Sequence, residues 1–270
     1  LKETVVNFIQ TLVYLTYLDS NSWLIEIGEK RILLDPWLVG PLVFGGLGWL
    51  FKGQRRTPRP IPENIDLILL SQGLTDHAHP PTLEKLDRAI PVVGSVEAAK
   101  VVRSLGYTQV TALAHGETFT LDNTVKIEAV PGSPIGPLLV ENGYILRELS
   151  GNGSIYYEPH GYHSPSLKDA GSIDVLMVPI VNLKVPLLGP IIQGRDSVSE
   201  VAQWLEPQVI LPTAAGGDVE FEGVLVKVLQ QQGSVEELRE TLDGNNLKTQ
   251  VIEPTPGERF EVNLTEVQSS

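Results

Sequence analysis

Four of the five histidines fall into two short clusters, Asp76-His77-Ala78-His79 and His160-Gly161-Tyr162-His163. Imidazole beside carboxylate is the raw material of proton transfer and of divalent-metal sites. The chain contains no cysteine, so any metal must be held by His, Asp or Glu, and thiolate catalysis and disulfides are excluded. The bland alternative is that these rings hydrogen-bond one another and the backbone. His115, directly before Gly116, is expected in a surface turn and carries no role.

A second feature is apolar and basic. Leu42, Val43, Phe44, Leu47, Trp49, Leu50 and Phe51 run straight into Lys52, Arg55, Arg56 and Arg59, so four of the 20 basic residues cluster in a chain of net charge -13. An apolar wedge beside cations suits an anionic membrane surface or capture of an amphiphile, with Phe44, Trp49, Phe51, Arg55 and Arg56 facing it. Packing of this stretch on a second apolar loop, 185–192, or across a homodimer contact, is the competing reading. Gly45, Gly46 and Gly48 lack the Lys-Ser/Thr that follows a phosphate loop and serve tight turns.

Positioning these residues requires a folded core. With 270 residues, 42% hydrophobic and 20% charged, the chain reads as an ordinary globular protein. The acidic excess repels phosphate backbones, so nucleic acid is not an expected partner. No apolar run is long enough to span a bilayer; 38–51 is interrupted by glycines and Pro41 and reads as a loop. Lack of cysteine fits a reducing, cytoplasmic compartment, with peripheral membrane attachment as an option. The start at Leu1 and the single methionine, Met177, suggest a trimmed N-terminus, and no signal peptide is visible.

Residues 13–18, 23–27 and 31–34 form β-rich runs around the turn Asp19-Ser20-Asn21-Ser22, and 66–70 reads as a buried strand. Helices are predicted over 82–88, 96–105 (Ser95 as N-cap, Gly106 as stop), 198–205 and 234–242, where Ser234 and Glu237 have capping-box spacing. Strands are predicted at 90–93, within 109–130 and 143–157, and at 175–178, 209–211 and 259–263. Two halves that each mix strand and helix, with no dividing linker, predict one domain spanning 1–270: two mixed sheets face to face with helices outside, an α/β (α+β) four-layer αββα sandwich.

Several segments in this order resemble the metallo-β-lactamase superfamily, and within it the branch of ascorbate-phosphate lactonase and N-acyl-phosphatidylethanolamine phospholipase D. They are Ile32-Leu33-Leu34-Asp35-Pro36-Trp37, Leu69-Leu70-Ser71, Asp76-His77, Ile127-Glu128-Ala129-Val130-Pro131, Ile155-Tyr156-Tyr157, 174–180 and 207–213. The resemblance covers roughly residues 13–215 and implies a two-metal hydrolase. The ligands depart from it. Where the family has His-x-His-x-Asp-His, this chain has Gln72-Gly73-Leu74-Thr75-Asp76-His77. Gly132-Ser133-Pro134 stands at the third histidine, Pro159-His160-Gly161 at the bridging Asp, and Ala214 at the last histidine.

The resemblance therefore implies a degenerate site holding at most one zinc or manganese ion, on Asp76, His77 and His160. Glu158, His79 or His163 would be a fourth ligand or an orienting group, and His79 or His163 a proton shuttle beside Asp76. Ser71, Ser133 and Ser164 would lie near the same site, but no Gly-x-Ser-x-Gly elbow supports a serine nucleophile. Three functions stay open: a single-metal hydrolase of an ester, lactone or phosphodiester in an amphiphilic molecule; a non-catalytic descendant binding a lipid-like ligand; and a membrane-associated assembly factor.

Overall fold

The computed structural model describes residues 12–264, apart from 152, 187, 188 and 215. Two seven-stranded sheets dominate it. The first runs, in spatial order, Arg259–Asn263, Leu12–Tyr17, Trp23–Ile27, Lys30–Leu34, Leu67–Leu70, Val92–Gly94, Val110–Ala112. Its first four strands pair antiparallel and the rest parallel. The second runs Gln250–Val251, Val209–Pro212, Val175–Val178, Ser154–Tyr157, Leu139–Glu148, Val125–Ile135, Thr118–Leu121.

Alternating side chains of both sheets interdigitate in a shared core that includes Leu15, Ile25, Ile32, Leu69, Ile127, Leu146, Tyr157 and Met177. Each outer face carries its own cluster. Helix α1 (Pro80–Leu83) and α2 (Val96–Ser104) cover Leu33, Ile68 and Leu70 on the first sheet. Helix α3 (Gly194–Leu205), the short α4 (Val224–Val228) and α5 (Val235–Gly244) follow the second sheet; α3 and α5 bury Val198, Val201, Leu238 and Leu242 against Tyr156 and Leu176. This is the predicted αββα sandwich.

Local expectations mostly hold. Ser95 caps α2 by accepting from Ala98 N at 3.1 Å. Ser234 accepts from Glu237 N, but the reciprocal half of the capping box is absent, because the Glu237 carboxylate pairs with Arg195 instead. The helix predicted at 82–88 is only Pro80–Leu83. Pro80 and Pro81 start it earlier than the apolar pattern suggests, their missing N–H groups being unpaired in a first turn anyway.

The stretch 38–51 is not wholly loop. Leu42–Val43 pairs with Lys52–Arg55, which pairs with Val219–Glu222 in a small third sheet. The loop expected at 185–192 is likewise partly paired, Asn182–Val185 with Gly189–Gln193, flanked by Gln230–Gln232, while 187 and 188 lie outside the described residues. Each addition joins a local hairpin to a strand far away in sequence, Val219–Glu222 in one case and Gln230–Gln232 in the other.

Candidate metal centre

The C-terminal ends of neighbouring strands meet at one edge of the sandwich. Strand Lys30–Leu34 delivers Asp35, Leu67–Leu70 delivers Ser71 and Gln72, and Ser154–Tyr157 delivers Glu158 and His160. A register shift between Pro131 and Pro134 turns Ser133 into the same place, the usual service of a β-bulge. Asp76 and His77 arrive from a turn closed by His77 N and Ala78 N on Leu74 O.

Asp76, His77 and His160 each offer one possible ligand atom, and these atoms lie within 4.8 Å of one another. Asp35, fully buried, accepts from Ser71 N (2.7 Å), Tyr157 OH (2.7 Å) and the Ser71 hydroxyl, and lies 2.7 Å from His77 Nδ1. His77 Nε2 is 3.2 Å from Asp76. Burial alone would push the His77 imidazole down, but Asp76 and Asp35 outweigh it and raise it to about 10. Burial works against the Asp76 carboxylate as well, yet His77 beside it leaves it below the usual range.

His160 is built differently. Its Nδ1 is 2.8 Å from Ser133 Oγ and 3.0 Å from Gln72 Nε2, and Gln72 also donates to Ser133 at 3.2 Å. Ser133 donates to Glu158 at 2.6 Å. The other Glu158 oxygen accepts from the backbone N–H groups of His160, Gly161 and Tyr162. Burial raises Glu158 to about 7 against these donors, and burial with the His77 charge lowers His160 to about 4. Gly161 makes the nest feasible: at φ +83 its missing Cβ would lie 2.6 Å from Gly194 N. Glu158 is thus an anchor for its loop and for Ser133, and its carboxylate is already engaged.

Asp76, His77 and His160 come together as the sequence reading required. The two shuttle candidates do not join them. His79 turns to Thr82 (Nδ1–Oγ1 2.9 Å) and packs its ring on Trp37, and burial lowers it to about 4. His163 contacts Tyr156 OH at 3.0 Å in the helical layer, and burial lowers it to about 3. Both rings stay neutral near pH 7, so they fill polar niches in apolar layers. His115 lies in an exposed turn, as anticipated. Ser71 donates to Asp35, and Ser164 caps a 3-10 turn, so neither is set up as a nucleophile.

The basic-apolar segment also divides. Arg55 is not a surface cation: its side chain is 6% exposed, donates to Asp19 (3.1 Å) and to Leu18 O, and stacks on Trp37. The charge is taken up because Asp19 is fully buried and also receives Arg59. Phe44 and Phe51 stack in series with Phe221, ring centroids 5.5 Å apart, inside the small sheet. Trp49 and Arg56 remain exposed.

Sequence reasoning gave no role to Asp35, Asn21 or Tyr157. Asp35 had a signal, its place after an apolar strand and before Pro36. Tyr157 and Asn21, whose amide is 3.5 Å from His77 Nε2, had none.

Comparison with known proteins fits this geometry. The model of the β-lactamase superfamily domain matches residues 14–214. Over 82 residues the chain is 35% identical to the cytidine monophosphate-N-acetylneuraminic acid hydroxylase of Cricetulus griseus, a stretch covering 29% of this chain but only 14% of that protein. Among solved structures, Igni18, a metallo hydrolase from Ignicoccus hospitalis, superimposes with TM-score 0.68 at 18% identity, covering 94% of this chain and 100% of that one. CmlA, a diiron β-hydroxylase from Streptomyces venezuelae, gives 0.66 at 18% identity over 95% of this chain and 55% of that one. The identities are low enough that the solved structures speak to the fold alone. With the family model matching about three quarters of its length, the chain belongs to the β-lactamase superfamily and carries the metallo-β-lactamase fold.

Proposed function

We propose that the protein is a hydrolase working with a single divalent ion held by Asp76, His77 and His160, in a site that has given up the other half of a two-metal centre. The carrying observation is the convergence of these three ligand atoms at a point where Asp76 Oδ1 is buried without a partner. The donor set of two imidazoles and a carboxylate is that of a catalytic zinc site, and manganese also accepts it.

Both rings are tied back in the manner of metal ligands. His77 Nδ1 points to Asp35, which leaves Nε2 toward Asp76. A proton on His160 Nδ1, donated to Ser133 and backed by Glu158, leaves Nε2 with its lone pair. Such outer partners fix ring orientation and tautomer. The place of the second ion is filled by neutral groups: Gln72 and Ser133 hydrogen-bond each other, and both contact His160, while Leu74 and Ala214 offer no lone pair. An ion at the remaining site would supply Lewis-acid activation of water and of an ester, lactone or phosphodiester oxygen. Asp76 would orient the attacking water, and the substrate class follows the family resemblance.

The test is metal analysis joined to assay. The reading expects one equivalent of zinc or manganese per chain, lost in His77→Ala and His160→Ala, and hydrolysis of nitrophenyl esters or phosphodiesters that Asp76→Asn abolishes. Less than about a tenth of an equivalent after zinc titration would end it.

A further inference from the structure

The edge that carries the metal centre has a charge pattern unlike the rest of the chain. Segments 36–62, 129–140 and 175–195 contain no Asp or Glu, in a protein with 33 acidic residues among 270. They hold Lys52, Arg55, Arg56, Arg59, Lys184 and Arg195 instead. Topology brings all three to this edge. The first leaves the sheet at Asp35 and is fastened by Arg55 on Leu18 O. The second continues past Ser133 into the tip of the Val125–Ile135/Leu139–Glu148 hairpin. The third returns through Gln193, whose N–H donates to His160 O at 2.8 Å.

The same segments expose large apolar side chains. Of the nine such residues exposed among the described ones, Leu47, Trp49, Leu138, Val140 and Ile191 lie here, Trp49 at 67% and Leu138 at 97% exposure. Val224 and Val228 add to them, since α4 is joined to the Trp49 loop by Val224 N on Trp49 O and Leu225 N on Leu50 O. Hairpin tips bearing Trp and Leu are costly in water unless something covers them. Arg55 and Arg59 are spent on Asp19, and Arg195 on Glu237, but Lys52, Arg56 and Lys184 make no ion pair among the described residues. Asp218, whose carbonyl accepts from Arg56 N and whose carboxylate pairs with Arg59, and Glu220 and Glu222, on the strand opposite Gln54 and Lys52, are the local acidic exceptions.

We infer that this edge docks on an anionic lipid bilayer, Trp49, Leu138 and Ile191 entering the interface while Lys52, Arg56 and Lys184 meet lipid phosphates. Trp suits the headgroup boundary, and basic side chains there are drawn to negatively charged lipid. No described helix is long and apolar enough to cross a membrane, and the inferred attachment uses these loops. The inference does not depend on the ion at Asp76: docking would persist in a His77→Ala protein that has lost metal.

Co-sedimentation of the full chain with vesicles of phosphatidylcholine, with and without phosphatidylglycerol, tests it. Binding is expected only with phosphatidylglycerol and should fall with salt. Trp49→Ser with Leu138→Ser should weaken it by about tenfold or more, as should Arg56→Glu with Lys184→Glu. Leu149→Ser, an exposed apolar residue at the opposite end of its strand, should leave it unchanged. All these side chains are on the surface, so folding, checked by circular dichroism, is preserved. Absence of vesicle binding overturns the inference, as does equal loss in Leu149→Ser. A self-associating chain, dispersed by the Trp49/Leu138 pair and indifferent to vesicles, would assign the face to a second copy instead.

Discussion

Replacing Ser133 by Ala removes one oxygen from the middle of the chain that orients His160. Its hydroxyl lies 2.8 Å from His160 Nδ1 and donates at 2.6 Å to Glu158, and the residue is 1% exposed, so water cannot readily take its place. Three buried polar atoms lose a partner: His160 Nδ1, Glu158 Oε1 and Gln72 Nε2. Leaving such groups unsatisfied costs about 1–3 kcal/mol, which for a domain of this size lowers Tm by roughly 2–5 °C. Outer-partner substitutions typically weaken metal binding about 10- to 100-fold, because the ring turns and the wrong tautomer is populated. Zinc affinity by chelator competition and melting of the metal-free protein read the two effects separately. A Glu158→Gln partner in a double-mutant cycle should show strong coupling, since both substitutions break one chain. Zinc affinity within about twofold of the parent, with unchanged melting, would mean that Ser133 does not orient His160, and the tautomer argument fails.

Three further outcomes follow from the geometry. Gly161→Ala should destabilise by about 2 kcal/mol or more, because its Cβ would meet the Gly194 backbone at φ +83; urea unfolding and loss of zinc uptake measure it. Asp19→Asn strips the buried Arg55 and Arg59 of their counter-charge and should cost about 3–5 kcal/mol, whereas a loss below about 1 kcal/mol would show that solvent reaches the pair. His163 is lowered to about 3 by burial, so the unfolded chain takes up a proton that the folded one refuses as pH falls below 6.5. Between pH 7 and pH 5 the parent should therefore lose about 2 kcal/mol more stability than His163→Gln, and parallel profiles would contradict the buried neutral ring.

The layer order and most strand positions were legible because a short apolar run bounded by turn residues is a local property of sequence. Runs such as 23–27, 175–178 and 209–211 announce themselves, and Ser95 and Ser234 mark helix starts by the chemistry of unpaired N–H groups. Asp76, His77 and His160 could be named because the family-like segments around them fall in the family's order, which implied their place at one site. The composition alone also excluded thiolate chemistry. What the residues around them do was decided in three dimensions. Asp35 clamps His77 across 42 positions, and Tyr157 reaches Asp35 across 122, contacts that no spacing rule encodes. His79 and His163, adjacent to the ligands in sequence, were turned away because their local backbone buries them in apolar layers beside Trp37 and Tyr156. Arg55 looked like a surface cation until folding brought it against Asp19, and a charge is exposed or neutralised according to what the whole chain places next to it.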